Sequence, residues 1–276
     1  APIAELPAAT PSPDNEPATV QAPATTADRD ATLREAKAAI EAGCDVFVEK
    51  PITLDPDEAK ALCELADEND RVLMVGHLLI YQPAIDFIRQ YLDEQKLGEV
   101  FTLSQRRSKL GRARAVENVL WSFGVHDVAV LLHLAGEAPK EISVVGHRGL
   151  QEKVEDDVFL HMKFENGTLA HLHNSWLWPT VERLLVVVGQ KGMLVYDELK
   201  QTVTLYHKTI GENLQAVDEG SEVLFEGTAA PLVVELTHFI ECCKSRATPK
   251  SDGWSGLRVV NVLADAQKQL DVQGGK

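Results

Sequence analysis

The sequence predicts an α/β half followed by an α+β half, the second built on a large, mostly antiparallel open sheet with helices on one face. Three observations carry this. Helical stretches alternate with short apolar strands up to about residue 97. From residue 98 onward, strands come in series at short spacing, with Asn166-Gly167 as a hairpin signal between two of them. The chain then closes on two amphipathic helices.

Residues 1–18 stand apart. Six of the 13 prolines fall within the first 28 residues, mixed with Ala and Thr, a composition that buries too little apolar area to offset ordering entropy. Residues 18–22 could pair as a weak strand. The stretch DRDATLREAKAAIEAG then has helical spacing and a stop at Gly43. Asp45 to Val48 read as a buried strand that ends on Glu49-Lys50-Pro51. A second helix opens with Asp55 as N-cap and Pro56 at its first position. RVLMVG is the next strand and Pro83 to Gln95 the next helix.

Beyond Gly98, EVFTLSQRR alternates as a strand, and VENVLWSFGVHDVAVLLHLAG reads as one helix closed by Gly136. EISVVGHR, VEDDVFLHMKF, TLAHLHNSW, ERLLVVVGQ, MLVYDE and TVTLYH follow as strands, and PLVVELTHFIECCKS and GWSGLRVVNVLADAQKQL as the closing helices. No internal repeat is visible.

Composition excludes several functions. The chain has 276 residues, 45% hydrophobic and 25% charged, the balance of a globular protein with a sizeable core. A net charge of −15 argues against holding a nucleic-acid backbone. No apolar run approaches the roughly 20 residues that span a bilayer. No basic segment followed by an apolar one marks a signal peptide. The four cysteines, Cys44, Cys63, Cys242 and Cys243, form no C-x-x-C pair and read as reduced thiols of a cytoplasmic protein, Cys44 and Cys63 at buried element edges.

Three stretches could carry chemistry. Glu49-Lys50-Pro51 lies at the carboxyl end of a parallel strand, the edge where open α/β sheets bind ligands; alone, it reads equally as a surface turn. His126 and Asp127 open an otherwise apolar helix on which His126, Val130 and His133 share one side. A histidine there can take a proton from a hydroxyl. A core histidine satisfied by backbone is the plainer alternative, and it fits His133 better than His126. His171 and His173 share one strand face, but nothing completes a tetrahedral set, so no metal is expected.

In family order and spacing, the motifs EAGCDVFVEKP, VLMVGHLLIYQPAI, LGEV, GVHDVAVLLHLAG, FENGTLAHLHNSW, VVVGQKGMLVYD and LTHFIECCKSRATPKSDGWSGLRVVNVL appear over residues 19–271. This resembles the Gfo/Idh/MocA family of nucleotide-dependent sugar oxidoreductases. GHLLIYQP with GRARAVENVLWSFGVHD resembles the branch that oxidises the 3-hydroxyl of UDP-N-acetylglucosamine or its uronic acid, on the way to surface-polysaccharide sugars. The resemblance implies a partial Rossmann-like NAD(P)-binding domain over residues 19–97. It further implies a substrate and oligomerisation domain over 98–276, pairing as a homodimer or homotetramer through its sheet.

The resemblance also implies roles, with NAD favoured over NADP as the cofactor. Lys50 and His126 would be catalytic, Lys50 stabilising charge on the sugar oxygen and His126 removing its proton. Pro23, Thr25, Thr26, Glu49, Lys50, Pro51 and His77 would line the cofactor site. Arg112, Arg114, Asn118 and Trp121 would meet the sugar or its diphosphate. Relatives often carry Asp four residues before the catalytic histidine; Ser122 stands there instead, which leaves Lys50 and His126 as the pair.

One family hallmark is missing. The first fifty residues hold no G-x-G-x-x-G turn to meet a pyrophosphate. Roughly two βα units are expected to be absent, through truncation or through divergence to a non-catalytic sugar-binding or assembly protein. Intact motifs around Lys50 and His126 favour truncation.

Overall fold

The structure is a computed structural model that describes residues 26–227 and 230–274. Helix α1 (Thr26–Glu41) leads through Gly43 into strand β1 (Val46–Glu49), helix α2 (Pro56–Glu68) and strand β2 (Leu73–Gly76). β1 and β2 pair in parallel, with Glu49 opposite Gly76. The start of α2 follows from its sequence. Asp55 Oδ1 accepts from the backbone N–H of Asp57 at 2.7 Å and of Glu58 at 3.4 Å, with Pro56 in the first turn, a cap worth about 1 kcal/mol. Cys63 is buried against this unit, whereas Cys44, expected at a buried edge, is exposed because it sits in the turn ahead of β1.

A 3₁₀ turn (Leu78–Tyr81) and helix α3 (Pro83–Asp93) connect β2 to strand β3 (Val100–Ser108) of the second sheet. Helix α4 (Val125–Ala135) lies ahead of strands β4 (Glu141–His147), β5 (Asp157–Lys163), β6 (Leu169–Ser175), β7 (Glu182–Gly189), β8 (Gly192–Asp197), β9 (Thr202–Ile210) and β10 (Ala216–Glu226). The eight strands run in the order β10-β9-β8-β7-β3-β6-β5-β4. Every pairing is antiparallel except β3 with β6. The expected α/β unit and the expected large, mostly antiparallel sheet are thus both present. Helices α5 (Pro231–Ser245) and α6 (Gly253–Gly274) close the chain.

Two elements differ from the sequence reading. β10 reads as no strand because nine of its eleven positions are exposed and it carries four acids among few apolar residues; it is held by backbone pairing to β9 at the sheet edge. The helix expected over 116–136 begins later. Asn118 interrupts it: its Oδ1 accepts from the Trp121 N–H at 3.1 Å, and a π-helical turn (Leu120–Gly124) follows before α4 proper. Gly136 ends α4 at φ 77, the left-handed conformation that suits glycine.

There are two apolar cores. The larger fills the space between the sheet and α3, α4 and α6; the smaller lies around β1, β2, α1 and α2. α6 joins them. Val259, Val262, Leu263, Ala266 and Leu270 enter the large core, and Val260 the small one. That strap fixes the end of the parallel pair against the end of the large sheet, where the candidate residues meet. Among the described residues, no helix is long and apolar enough to cross a membrane.

Candidate active site

Lys50 follows the last residue of β1 and is joined to Pro51 by a cis peptide bond. His77 follows the last residue of β2. The parallel register therefore brings both to the same edge of the small sheet. His126 arrives from the first turn of α4. The three lie close enough to act on one another's charge. Burial, and then the Lys50 ammonium, lower the His77 pKa to about 3. Burial, Lys50, Arg107 and His77 together hold His126 well below the usual histidine value. Both imidazoles are thus neutral at pH 7, and a neutral imidazole is the form that accepts a proton. Both ring nitrogens of His77 and the Nδ1 of His126 are buried with no hydrogen-bond partner among the described residues.

His126 owes its position to its neighbour. Asp127 is fully buried; Oδ1 accepts from Arg107 Nε at 2.9 Å and Gln105 Nε2 at 3.1 Å, and Oδ2 accepts from Asn174 Nδ2 at 2.9 Å. Arg107 also grips Glu198 with two bonds, at 2.6 and 3.2 Å, and Arg183 reaches the same carboxylate at 3.3 Å. Burial opposes the charge on Arg107, but Asp127 and Glu198 outweigh it. The network spans β3, β6, β7 and the residue after β8, and so bolts the start of α4 to one end of the sheet. Gly124 permits the close approach: a Cβ there would stand 2.7 Å from Asn174 Oδ1 and 2.6 Å from Leu120 Cδ1.

The sequence singles out Asp127 but assigns it no role, and misses Arg107, Glu198 and Asn174. Their separation along the chain hides them; only the buried-charge rule, applied to Asp127 in an apolar helix, points to partners.

The remaining candidates fall in several places. Glu49 lies over Gly76 and faces Glu235 of α5, whose carboxyl is pushed up to about 8 by burial and by Glu49. Pro23 and Thr25 are outside the described residues, and Thr26 is the first residue of α1. The Asn118 amide donates to Glu155 at 2.7 Å and Gln267 at 3.0 Å; Trp121 donates to the same Gln267 at 3.1 Å. Both are tied to α6. Arg114 pairs with Glu117, while Arg112 is exposed. His171 and His173 part company: His171 meets His161 at 2.8 Å between Nδ1 atoms, and His173 meets Asp157 at 3.2 Å.

This edge fits the nicotinamide end of a dinucleotide. A cation and an imidazole with unpartnered nitrogens converge at the carboxyl ends of parallel strands, where such folds place that ligand. Glu49, Lys50, Pro51 and His77 are the described residues available to hold it.

Comparison with known proteins bears on the fold and the family. Residues 9–77 match a family model described as an oxidoreductase family with an NAD-binding Rossmann fold, and residues 85–195 match the GFO/IDH/MocA C-terminal domain. The fold is therefore that of an oxidoreductase with an NAD-binding unit ahead of a sheet domain. The chain belongs to the Gfo/Idh/MocA oxidoreductase family. It is 29% identical over 226 residues to UDP-N-acetylglucosamine 3-dehydrogenase of Acidithiobacillus ferrooxidans, covering 82% of this chain and 71% of that protein. A solved structure of that enzyme superimposes with a TM-score of 0.79 at 26% identity, covering 90% of this chain and 78% of the other. A 2,7-anhydro-N-acetylneuraminate hydratase of Escherichia coli is 26% identical over 170 residues, 55% of this chain and 45% of that protein.

Proposed function

We propose that this protein is an NAD(P)-dependent dehydrogenase of a nucleotide-activated sugar, with the 3-hydroxyl of UDP-N-acetylglucosamine or its uronic acid as the group oxidised. The observation that carries the reading is the convergence of Lys50, His77 and His126 at the carboxyl edge of the parallel strands. The similarity to the Acidithiobacillus enzyme supports the choice of sugar.

A bound nicotinamide supplies the hydride acceptor. His126 accepts the hydroxyl proton as the carbon–hydrogen bond breaks, and its lowered pKa keeps it free to do so. The Lys50 ammonium stabilises the negative charge that develops on the sugar oxygen. Asp127 holds the turn that carries His126, so the base is positioned before substrate arrives. Arg112, Arg114, Asn118 and Trp121 are the proposed contacts for sugar and diphosphate, and NAD the preferred cofactor. Assembly through the large sheet, whose outer face exposes Val145 and Phe159, belongs to the same reading.

A second reading is a non-catalytic sugar-binding or assembly protein of the same family. Nicotinamide absorbance distinguishes the two. With NAD or NADP present, adding UDP-N-acetylglucosamine or its uronic acid should produce reduced nicotinamide and a keto-sugar. Sugar binding without reduction of either cofactor, under every condition tried, would leave only the second reading.

A further inference from the structure

Next to the candidate site, and sharing His77 with it, lies a cavity of about 320 Å³ whose other lining residues the proposed chemistry does not use. His77 forms part of its inner wall. Ala129 and His133 line it from α4, Lys250 from the loop before α6, and Ser255 and Arg258 from α6 itself. Relative to His126, Ala129 and His133 are three and seven residues on, so all three share one face of the helix. The cavity thus runs along α4, with His133 roughly 10 Å beyond His126 at 1.5 Å per residue.

Its polar groups point to water. His77 is 2% exposed, and neither ring nitrogen has a partner among the described residues. His133 is partly exposed, yet its Nε2 is also buried without one. A buried polar group left unsatisfied costs about 1–3 kcal/mol, and a cavity of this size has room for several waters at about 30 Å³ each.

An anion site fits less well, because two of the three cations that line the cavity, Arg89 and Lys250, are already engaged. Arg89 donates to the carbonyls of His133 at 2.9 Å and Leu134 at 3.2 Å, and pairs with Asp93 at 2.7 Å; Lys250 pairs with Asp86 at 2.6 Å.

We propose that this cavity is a hydrated proton conduit, carrying the proton accepted by His126 past His77 and His133 to solvent. The inference rests on the dehydrogenase reading, in which each oxidation leaves one proton on His126. The bookkeeping closes within the chain. The His126 imidazolium gives up that proton and returns to neutral imidazole. His77 takes a proton on one ring nitrogen and releases one from the other, and cavity water and His133 repeat the exchange. Cofactor and sugar in the cleft exclude water from the front, so an exit along α4 lets His126 reset before product leaves.

The groups facing His133 suit a relay. Arg89, Asp86 and Asp93 face it from α3, Lys250 from the loop and Arg258 from α6. Burial, Arg89 and Lys250 outweigh the two carboxylates and lower its pKa to about 4, so a proton passes through without settling there.

The test follows hydride and proton separately. In weak buffer with NAD and UDP-N-acetylglucosamine, nicotinamide absorbance reports the hydride and a pH-indicator dye the proton. In the unaltered protein the two should rise together. In His133→Ala the proton should lag by about tenfold while the hydride burst keeps its rate, and added imidazole should restore the proton. Proton release in step with hydride in His133→Ala, or a lag that imidazole leaves unchanged, overturns the conduit alone. Absence of reduced nicotinamide in the unaltered protein overturns the dehydrogenase reading and the conduit with it. A second measurement needs no turnover: in protein with ¹⁵N-labelled histidine, magnetisation should pass from water to the rings of His77 and His133. A dry His77 ring would end the proposal.

Discussion

Two polar clusters stand side by side at the start of α4, and they are built on opposite rules. Asp127 is fully buried and accepts three hydrogen bonds, from Gln105, Arg107 and Asn174. His77 is almost as deeply buried, and its ring makes none among the described residues. In the first cluster the Asp127 carboxylate is filled by donors from β3 and β6, although Gln105 Oε1 and Asn174 Oδ1 are left without partners among the described residues. The second keeps ring nitrogens available at the edge of two short strands. The contrast separates architecture from chemistry. The carboxylate that holds the helix is saturated, whereas the rings proposed to move protons keep a lone pair or an N–H in reserve.

The largest effect expected from breaking the open cluster is on rate. His126→Gln should lower kcat by about 10²–10⁴-fold, since it removes a positioned base. Lys50→Ala should lower kcat by about 10²–10³-fold, the range for losing one stabilising donor of a developing oxyanion. Both variants should melt within a few degrees of the unaltered protein. Steady-state kinetics with calorimetry tests the pair. A Lys50→Ala variant with unchanged kcat would remove that residue from the mechanism.

Breaking the Asp127 cluster should instead cost stability. Asp127→Ala removes one partner of a buried ion pair and strands three donors, a loss of about 3–5 kcal/mol by urea denaturation. The double change Arg107→Met, Asp127→Leu should be milder than Asp127→Ala, because no charge then remains uncompensated by Asp127. If the double variant proves the worse of the two, the network contributes through Arg107 and Glu198, and Asp127 is secondary.

The sequence discloses these two clusters unequally. Lys50 was visible because a strand ends there on an acid, a base and a proline. His126 was visible because a titratable ring opens an apolar helix. Helix α2, with its Asp55 cap and Pro56, and the turn at Asn166-Gly167 were legible for local reasons. The Asp127 cluster was not, since residues 105, 107, 127, 174, 183 and 198 meet only once β3 is placed between β6 and β7. The parallel pairing of β3 with β6 has the same cause: strand neighbours are a property of topology, and local patterning carries no trace of them. β10 escaped because an exposed acidic edge strand lacks the alternation that a buried face imposes.

A milder effect should appear in the pH dependence of stability. In the folded chain His77 stays neutral down to about pH 3 and His133 to about pH 4. The unfolded chain takes up protons on the same residues near pH 6.5. Between pH 6.5 and about 4 the unfolded state therefore binds more protons, and stability falls as pH falls. The limiting slope is about 1.4 kcal/mol per pH unit for each histidine. Urea midpoints at pH 7 and pH 5 measure it. His133→Gln should flatten the slope by one histidine's share, and an unaltered slope would show that this ring is not excluded from protonation in the fold.

The smallest effect expected lies outside both clusters. Arg112 is exposed, and its neighbour Arg114 is engaged by Glu117. If Arg112 meets the diphosphate of a nucleotide sugar, it does so from solvent, where one charge pair is worth about 1 kcal/mol or less. Arg112→Ala should then raise KM for the sugar by no more than about fivefold and leave kcat untouched. That difference should vanish in about 1 M salt, where the screening length falls to about 3 Å. A change in kcat would mean that Arg112 reaches the reacting centre. A KM effect that persists in high salt would mean a desolvated contact, and so a loop that folds over the sugar.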